Sequence, residues 1–402
     1  MILFDEALAI IGEVADAHRL PVEARSLSRA HGHVLARDVV APIALPPFDN
    51  SAMDGYALRS VDLATGGDSI LRLVGEQFAG PSRELSLQAG ECTRITTGAP
   101  LPAGADAIAI REKVRVDGER IMVPEGASRA GLHVRRAGED VQACDTVLQA
   151  GWALTPSRVA LAAALGVDQL QVARRPTVAV FTTGDELVEP GLPLQPGQIY
   201  NSNRELLMGL LRADGIEPVA WPTLADDPER MAAMLRDAAS SFDVVVSCGA
   251  VSAGEKDYLP GIAREHGHVH FWKVRMKPGM PLLFADLGDA RFLGLPGNPV
   301  SVLATWLTLG RALLDGLQGR AEPRLAWQAR MVAPFAKRNA RREFLRGRLL
   351  PGDDGGLLVE PNPADGSHRL AAAARSDVLL VLPEGERDFT AGDLVEVLPI
   401  PG

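Results

Sequence analysis

The stretch that decides the fold runs from Asp243 to Tyr258 and reads DVVVSCGAVSAGEKDY. Its apolar beginning, Asp243–Val246, predicts a buried strand, and small residues, a hydroxyl and acids follow it. A backbone without a Cβ can approach a phosphate closely, and free N–H groups at the start of the next helix favour an anion. A carboxylate just beyond, such as Asp257, suits the Mg²⁺ that accompanies a phosphate. Taken alone, the pattern favours an ordinary strand-to-helix connection with small residues for tight packing, because short Gly/Ser patterns often match by chance.

The same arrangement recurs at three other apolar runs, so tight packing alone is a poor explanation of the pattern. The runs and the loops that follow them are Thr177–Phe181 with Thr182–Glu186, Glu217–Trp221 with Ala225–Pro228, and Arg291–Leu295 with Pro296–Pro299. Helical patterns separate the runs, so the topology rules predict right-handed crossovers and a mostly parallel sheet. All four loops then lie along the carboxyl edge of the sheet, where such sheets bind ligands.

Helix-start signals support this alternation. Ser202–Glu205 has the spacing of a capping box and precedes an apolar stripe of leucines that Gly215 closes. Asp227 followed by Pro228 predicts the start of a helix that runs to about Ala239. Asn298 and Pro299 predict another helix start in the same way.

Composition indicates a globular protein of several domains. The chain has 402 residues, of which 47% are hydrophobic, and this length predicts two to four domains. The start, Met1–Glu6, lacks the basic residues of a signal peptide, and no apolar run reaches membrane-spanning length. We therefore expect a cytoplasmic protein that does not bind a membrane.

The cysteine content and the charge exclude some classes of function. Three cysteines, Cys92, Cys144 and Cys248, are too few and too far apart for a disulfide framework or a zinc knuckle. A net charge of −10 argues against nonspecific nucleic-acid binding. Local concentrations of positive charge stand out against that background: Arg135 with Arg136, the alternating Lys273, Arg275 and Lys277, and the run from Lys337 to Arg342.

The order of patterns predicts four regions. Residues 1–48 and 138–175 are expected to form a discontinuous elongated N-terminal or linker domain. Residues 49–137 are expected to form a β-rich domain, in which Asp117 and Gly118 signal a hairpin. Residues 176–318 are the α/β domain, and residues 323–402 return to short strands typical of a small β-barrel or sandwich.

Two loops of the first half carry mixed chemistry. Pro46–Ala57 combines acids, an amide and a hydroxyl with aromatic rings, and Arg94–Ala107 has the proline spacing of a rigid extended loop. Loops of this kind carry function more often than core segments do. A domain-entry turn capped by Asn and Asp explains the first loop equally, and structure alone explains the second.

With these residues in view, the chain closely resembles the molybdopterin molybdenumtransferases, the MoeA and gephyrin E-domain family. The resemblance covers essentially the whole chain, in order. Its motifs are PPFDNSAMDGYA (Pro46–Ala57), RITTGAPLPAGADA (Arg94–Ala107), RRAGEDV (Arg135–Val141), TTGDEL (Thr182–Leu187), GQIYNSN (Gly197–Asn203), SCGAVSAGEKDY (Ser247–Tyr258), FWKVRMKPG (Phe271–Gly279) and GLPGNPVS (Gly294–Ser301). The resemblance implies molybdenum cofactor biosynthesis, in which adenylylated molybdopterin, molybdate and Mg²⁺ react and AMP is released.

The resemblance also implies roles for residues at matching positions. Asp257 is the first candidate for the metal and phosphate end, together with Glu186 and either Asp226 or Asp227. Contacts to the substrate are assigned to the strand-end loops, at Thr183, Gly184, Ser247, Gly249, Ser252, Gly254, Pro296, Gly297, Asn298 and Pro299.

Molybdate is a dianion and needs cations or N–H donors around it. The positions that match the family's oxyanion site are Lys273, Lys277, Arg135 or Arg136, and Ser367. Even spacing along an extended segment would put Lys273 and Lys277 on one face. The resemblance further implies a homodimer, in which Asp54 and Thr97 reach the active site of the other subunit, and protein partners within cofactor biosynthesis.

Three residues depart from the family pattern. Ala250 stands where a second glycine is usual, Cys248 where a hydroxyl is common, and Met280 where some members have lysine. Two alternative functions remain: a molybdopterin adenylyltransferase, whose simple forms lack the terminal β domains, and a non-catalytic peptide-docking scaffold, which would not need Glu186, Asp226, Asp257 and Lys277 together.

Overall fold

The computed structural model describes residues 1–252, 254, 257–364 and 366–401. In the Ser247–Tyr258 loop, Ala253, Glu255 and Lys256 therefore lie outside the described residues.

The first helix, α1 (Phe4–Ala17), packs against residues that are distant from it in the sequence. It buries Phe4, Ala7, Ile11 and Ala15, whose spacing of three or four residues makes one apolar stripe. That stripe belongs to the same hydrophobic core as the strands of the α/β region. Gly316 allows the close approach, because a Cβ there would stand 2.6 Å from the Cβ of Ala15. Helix α1, which was predicted to belong with residues 138–175, thus also contacts the α/β region.

Residues 18–175 form mainly short strands. Their elements in chain order are β1 (Val22–Ser26), α2 (Leu27–Ala30), β2 (Val39–Val40), β3 (Asn50–Ser51), β4 (Gly55–Leu58), β5 (Ser69–Gln77), β6 (Glu91–Ile95), β7 (Ala107–Ile110), β8 (Arg115–Asp117), β9 (Arg120–Val123), β10 (Val134–Arg135), β11 (Thr146–Leu148), α3 (Pro156–Ala164) and β12 (Gln169–Ala173), with 3₁₀ turns at Ser60–Asp62 and Arg111–Lys113.

Two segments separated in sequence pair within this region. Strand β1 pairs antiparallel with β12, and β2 pairs with β11. Between them, six strands form one sheet in the order β7-β4-β6-β5-β9-β8, and β8 and β9 make the hairpin that Asp117 and Gly118 predicted. The predicted domain limits themselves remain a prediction.

The α/β region follows. Its elements are β13 (Val178–Thr182), β14 (Leu187–Val188), β15 (Ile199–Tyr200), α4 (Ser202–Ala213), β16 (Val219–Ala220), α5 (Pro228–Ala239), β17 (Val244–Cys248), α6 (Leu259–His266), β18 (His268–Trp272), β19 (Met276–Lys277), β20 (Leu283–Leu287), β21 (Ala290–Leu295), α7 (Pro299–Thr305), a π-helical turn (Trp306–Gly310) and α8 (Arg311–Leu317).

Six of these strands form the central sheet in the order β16-β13-β17-β21-β20-β18. The first four run parallel, β20 pairs antiparallel with β21, and β18 pairs antiparallel with β20. Five of these six strands therefore share one direction, and the predicted mostly parallel sheet is confirmed. Successive residues of β13 and β17 point into separate cores on the two faces: Val178 and Val244 into one, Ala179 and Val245 into the other. Burial on both faces explains the continuous apolar runs in the sequence.

Helix starts follow the predicted chemistry with one correction. Asp227 caps α5 by accepting from the N–H groups of Glu229 and Arg230. The cap of α4 is Asn201, which accepts from the N–H of Arg204, and not Ser202, which lies inside the helix.

The last region contains β22 (Trp327–Met331), β23 (Phe335–Lys337), β24 (Arg342–Pro351), β25 (Leu357–Pro361), α9 (Leu370–Ala373), β26 (Val378–Leu382), β27 (Arg387–Phe389) and β28 (Leu394–Pro399). Strands β24, β25, β22, β28 and β26 pair in that order and β26 pairs again with β24, which closes a small barrel. The predicted small β-barrel is thus confirmed. Strand β19 of the α/β region adds to the barrel through β24.

One helical stretch, Pro299–Leu317, is long and apolar enough to cross a membrane by length and composition. Of the most apolar part of this stretch, 72% is buried inside the fold, as is typical of a helix in a protein core.

A buried carboxylate ties the α/β region to the segment that leads into the barrel. Asp214, whose side chain is 2% exposed, pairs with Arg311 and with Arg324, each at 2.9 Å. The indole N–H of Trp306, in the π-helical turn, donates to the same carboxylate at 3.3 Å. Asp214 therefore joins the end of α4, the long helix and the connection to the barrel.

We expect Asp214→Ala to lower the free energy of unfolding by about 3 kcal/mol, because removing one partner of a buried ion pair leaves the other charges uncompensated. Chemical denaturation measures the loss. The matched control is Glu217→Ala, which breaks an exposed pair with Arg212 and should cost at most about 0.5 kcal/mol. Equal losses in the two variants would contradict the role of Asp214.

Candidate active site

A cleft of about 670 Å³ opens at the carboxyl edge of the central sheet. All four predicted loops meet there, after β13, β16, β17 and β21. The residues of these loops that line the cleft are Thr183, Gly184, Glu186, Asp226, Cys248, Gly249, Ala250, Val251, Ser252, Asp257, Pro296, Gly297, Asn298 and Pro299. The common edge follows from the parallel strand directions.

Close approach of the loops requires a residue without a side chain at Gly249. Its φ is +104°, and a Cβ there would stand 2.4 Å from Oγ1 of Thr183. The next residue, Ala250, also takes a left-handed φ of +53°. This conformation favours glycine, which is the residue that the resemblance leads us to expect at this position.

Among the residues that the structure describes, three carboxylates line the cleft: Glu186, Asp226 and Asp257. One oxygen of Asp257 accepts from the N–H of Gly254 at 2.6 Å, which holds the loop that carries it. Among residues 1–252, 254, 257–364 and 366–401, no cluster of three or more Asp, Glu, His or Cys is close enough to hold a metal alone. Mg²⁺ commonly uses one or two carboxylates, waters and substrate phosphates, so the residues present fit that ion together with a substrate.

Asp227 has a different position from its neighbour Asp226. Its carboxylate is occupied as the cap of α5, and it is absent from the lining residues described for the cleft. Ser247, predicted to contact the substrate, is fully buried in β17 and does not line the cleft either, because side chains alternate along a strand.

The Pro296–Pro299 turn connects the α/β region with the barrel. The side-chain amide of Asn203 donates to the carbonyl of Gly297 at 2.6 Å. The amide of Asn298 donates to Oγ of Ser367 at 3.0 Å, and the N–H of Val300 donates to the carbonyl of Ser367 at 3.2 Å. Ser367 is thereby fixed against the turn, although it lies 66 residues beyond Ser301 at the end of the motif.

A second pocket of about 360 Å³ adjoins the cleft and shares Pro281, Pro296 and Asn298 with it. Its charged lining residues are Lys277, Arg341, Arg346 and Glu343. We call this space the basic pocket, because the described residues that line it include three cations and one carboxylate, in a chain of net charge −10.

Arg346 lines the basic pocket and stabilises the backbone next to it. Its side chain is buried, and its guanidinium donates to the carbonyls of Arg369 and Gly366 at 2.9 and 3.3 Å, as well as to that of Ala364. These contacts hold the turn that carries Ser367.

Lys273 does not share a face with Lys277, which corrects the expectation from even spacing. Strand β18 ends at Trp272, and Lys273 takes φ +74°, so the two lysines do not lie on one extended segment. The ammonium of Lys273 lies over the ring of Trp272, 4.3 Å from its centre. Lys273 is not among the described lining residues of the cleft or the basic pocket.

Gly254, also predicted to contact the substrate, is not among the described lining residues of the cleft. The other predicted residues lie in the β-rich region, outside the lining of both spaces. Asp54 accepts from the N–H and the hydroxyl of Thr97 at 2.7 and 2.9 Å, and the N–H bond is the main cause that lowers the pKa of Asp54. Arg136 pairs with Asp49 at 2.5 Å, and Arg135 lies in β10, which pairs with β3.

Sequence reasoning missed several lining residues. Tyr200, Asn201, Asn203 and Glu343 were not singled out, nor were Pro281, Arg341, Arg346, His368 and Leu370. The motif GQIYNSN was quoted for the resemblance but not given a role, and the Lys337–Arg342 run was noted only as a charge concentration. Both signals contain residues that line the site.

Comparison with known proteins agrees with this geometry. Residues 2–166 match the MoeA N-terminal region (domain I and II), residues 179–316 match a probable molybdopterin binding domain, and residues 328–400 match the MoeA C-terminal region (domain IV). A Haemophilus influenzae protein named molybdopterin molybdenumtransferase is 36% identical over 376 residues, 93% of each chain. The chain belongs to the molybdopterin molybdenumtransferase family.

Other relatives cover the same length. Molybdopterin molybdenumtransferase 2 of Mycobacterium tuberculosis is 40% identical over 385 residues, 92% of this chain and 93% of its own. A crystal structure of the molybdopterin biosynthesis MoeA protein from Pyrococcus horikoshii superposes with a TM-score of 0.84 at 26% identity, over 100% of both chains. The multidomain architecture is therefore that of this family.

The thiols provide a test of the cleft's packing. Cys248 and Cys92 are buried, and burial raises the pKa of each to about 12, whereas Cys144 is exposed. We expect a disulfide reagent at pH 8 to modify one thiol of the native protein rapidly and all three after denaturation, because the thiolate is the reactive form. Mass spectrometry of the labelled peptides should place the fast label on Cys144. Rapid native labelling of Cys248 would contradict the closed packing of β17.

Proposed function

We propose that this transferase inserts molybdenum from molybdate into adenylylated molybdopterin, with Mg²⁺ bound at the acidic cleft and AMP released. Membership of its family makes the chain an enzyme of molybdenum cofactor biosynthesis that acts on small molecules. The observation that carries the more detailed proposal is the junction of a cleft lined by Glu186, Asp226 and Asp257 with a basic pocket.

The cleft suits the phosphate of the substrate, and the basic pocket suits the molybdate. The carboxylates and the glycine-bearing loops suit a phosphate with its cation, since oxygen ligands and close backbone approach are both needed there. Lys277 and Arg341 suit an oxyanion, since cations and their N–H groups bind dianions through charge-assisted hydrogen bonds. The cleft and the basic pocket share Pro281, Pro296 and Asn298, which supports the proposal that the two reactants bind side by side.

The roles of the chain's own residues follow. Asp257 and Glu186 are proposed to bind the cation, which when bound neutralises phosphate charge. The turn Pro296–Pro299 orients the pterin, and Ser367 donates to the oxyanion from the barrel side. Asn203 holds the turn in place through Gly297.

The barrel argues against the two alternative functions. His368 and Leu370 of the barrel region line the cleft, and Glu343 and Ser367 line the basic pocket. A simple adenylyltransferase would not need these residues. A scaffold would not need the acids and Lys277 in one connected space.

Cellular location and assembly belong to the proposal as well. We propose a cytoplasmic homodimer that works beside other proteins of cofactor biosynthesis. Asp54 and Thr97 are hydrogen-bonded to each other and do not line the cleft of their own chain. This position supports the proposal that they contribute to the active site of the other subunit.

The first test is molybdate-dependent AMP release from adenylylated molybdopterin in the presence of Mg²⁺. We expect Asp257→Asn to lower the rate by roughly two orders of magnitude, the scale expected when a group that stabilises developing charge is lost. Asp227→Asn is the matched control, because asparagine also caps a helix, and it should retain near-normal activity. Normal turnover by Asp257→Asn at modest Mg²⁺ would place the cation elsewhere.

The second test concerns the shared site. We expect Asp54→Ala and Asp257→Ala to be inactive separately and to regain activity when mixed and allowed to exchange subunits. Each mixed dimer has one site with both changes and one with neither, so random exchange in a two-fold dimer should restore roughly a quarter of the wild-type sites. Absence of recovery despite demonstrated exchange would show that Asp54 acts within its own chain or has no role.

A further inference from the structure

The basic pocket contains one carboxylate that its proposed task does not explain. Glu343 is 3% exposed as a residue and lines a space proposed to bind a dianion. A negative charge there opposes anion binding, since like charges repel. A buried carboxylate at this position therefore needs another reason.

The contacts of Glu343 indicate that reason. One oxygen, Oε1, lies 2.8 Å from the ammonium of Lys277, and the other, Oε2, accepts from the side-chain amide of Asn339 at 2.6 Å. Lys277 and Glu343 are also direct partners in the pairing of β19 with β24. The backbone register and the side-chain contact thus bring the same two residues together.

A second lysine, Lys337, interacts electrostatically with the carboxylate. Lys337 is fully buried and donates to the carbonyls of Asn339 and Gly385 at 2.5 and 2.6 Å. Burial lowers the pKa of Lys337, and the charge of Glu343 offsets part of that effect. Glu343 therefore interacts with a buried lysine as well as with Lys277.

We propose that Glu343 is a positioning residue that holds the Lys277 ammonium at the wall of the basic pocket. This inference rests on the proposed function, because it assigns the oxyanion to Lys277. An ammonium has three N–H donors. One bond to Glu343 leaves two for an oxyanion, and it limits the freedom of a side chain that is 34% exposed.

The test is the molybdate KM of Glu343→Gln in the AMP-release assay. The substitution keeps the size of the side chain and removes its charge. We expect the KM for molybdate to rise about tenfold, the scale on which loss of a supporting partner weakens an ion site, with the KM for adenylylated molybdopterin unchanged. An unchanged or lower molybdate KM would overturn the proposal, because removal of a purely repulsive charge should tighten anion binding.

A double-mutant cycle shows whether Glu343 acts through Lys277. In a Lys277→Ala background, Glu343→Gln should change the molybdate KM less than about twofold, since the coupled partner is already missing. A full tenfold rise in that background would overturn the proposal. If Glu343→Gln does not fold, Asn339→Ala serves instead: it removes one hydrogen bond to Glu343 and should raise the molybdate KM severalfold, and no change would overturn the proposal.

Asp5→Asn is the matched control. Asp5 pairs with Arg342, the residue next to Glu343 in β24, at 2.6 Å, and likewise joins two regions of the chain. Its loss should leave the molybdate KM unchanged, and an equal rise would overturn the proposal by showing that general loosening of β24 is the cause. Absence of molybdate-dependent AMP release by the wild-type protein would overturn the proposed function itself, whereas the outcomes above concern Glu343 alone.

Discussion

The pairing of β19 with β24 is the constraint on which the candidate active site depends. Two residues of the α/β region, Met276 and Lys277, align with Arg342 and Glu343 of the barrel. Because the barrel is attached at this point, its turn at Ser367 faces the Pro296–Pro299 turn. The basic pocket is made by both regions, so neither region alone would form it.

Buried charges stabilise this attachment in different ways. Asp214 pairs with two arginines, one of them in the segment that enters the barrel, and fixes where that segment leaves the long helix. Arg346 satisfies backbone carbonyls around the Ser367 turn. Glu343 pairs with Lys277 and interacts electrostatically with the buried Lys337. Each charge is hydrogen-bonded, as burial demands, because an unpaired buried charge is strongly destabilising.

Uncommon backbone conformations occur close to the site. Ala250 in the cleft and Lys273 just before β19 both have a left-handed φ without being glycine. Such conformations cost energy and persist where the surrounding structure determines them. At Ala250 the cause is the tight approach of the loops after β13 and β17, and at Lys273 it is the change of direction between β18 of the central sheet and β19 on the barrel.

The sequence by itself determined the elements and the cleft. Continuous apolar runs such as Val244–Val246 are typical of strands buried on both faces, and Asp227 with Pro228 signalled a helix start, because these signals are local. Parallel strand direction then placed Glu186, Asp226 and Asp257 at one edge. The family resemblance added Lys277 and Ser367, which local patterns do not connect.

Only the tertiary structure decided how distant segments meet. It placed α1 on α8, put Lys273 and Lys277 in different surroundings, and buried Ser247 while leaving Ser252 in the cleft. Glu343 had no signal in the sequence as a site residue, because its meaning depends on Lys277, 66 positions earlier, and on the register of two short strands. Periodicity and capping act over a few residues, whereas this contact depends on the docking of two separately formed regions, and local patterns carry no information about that docking.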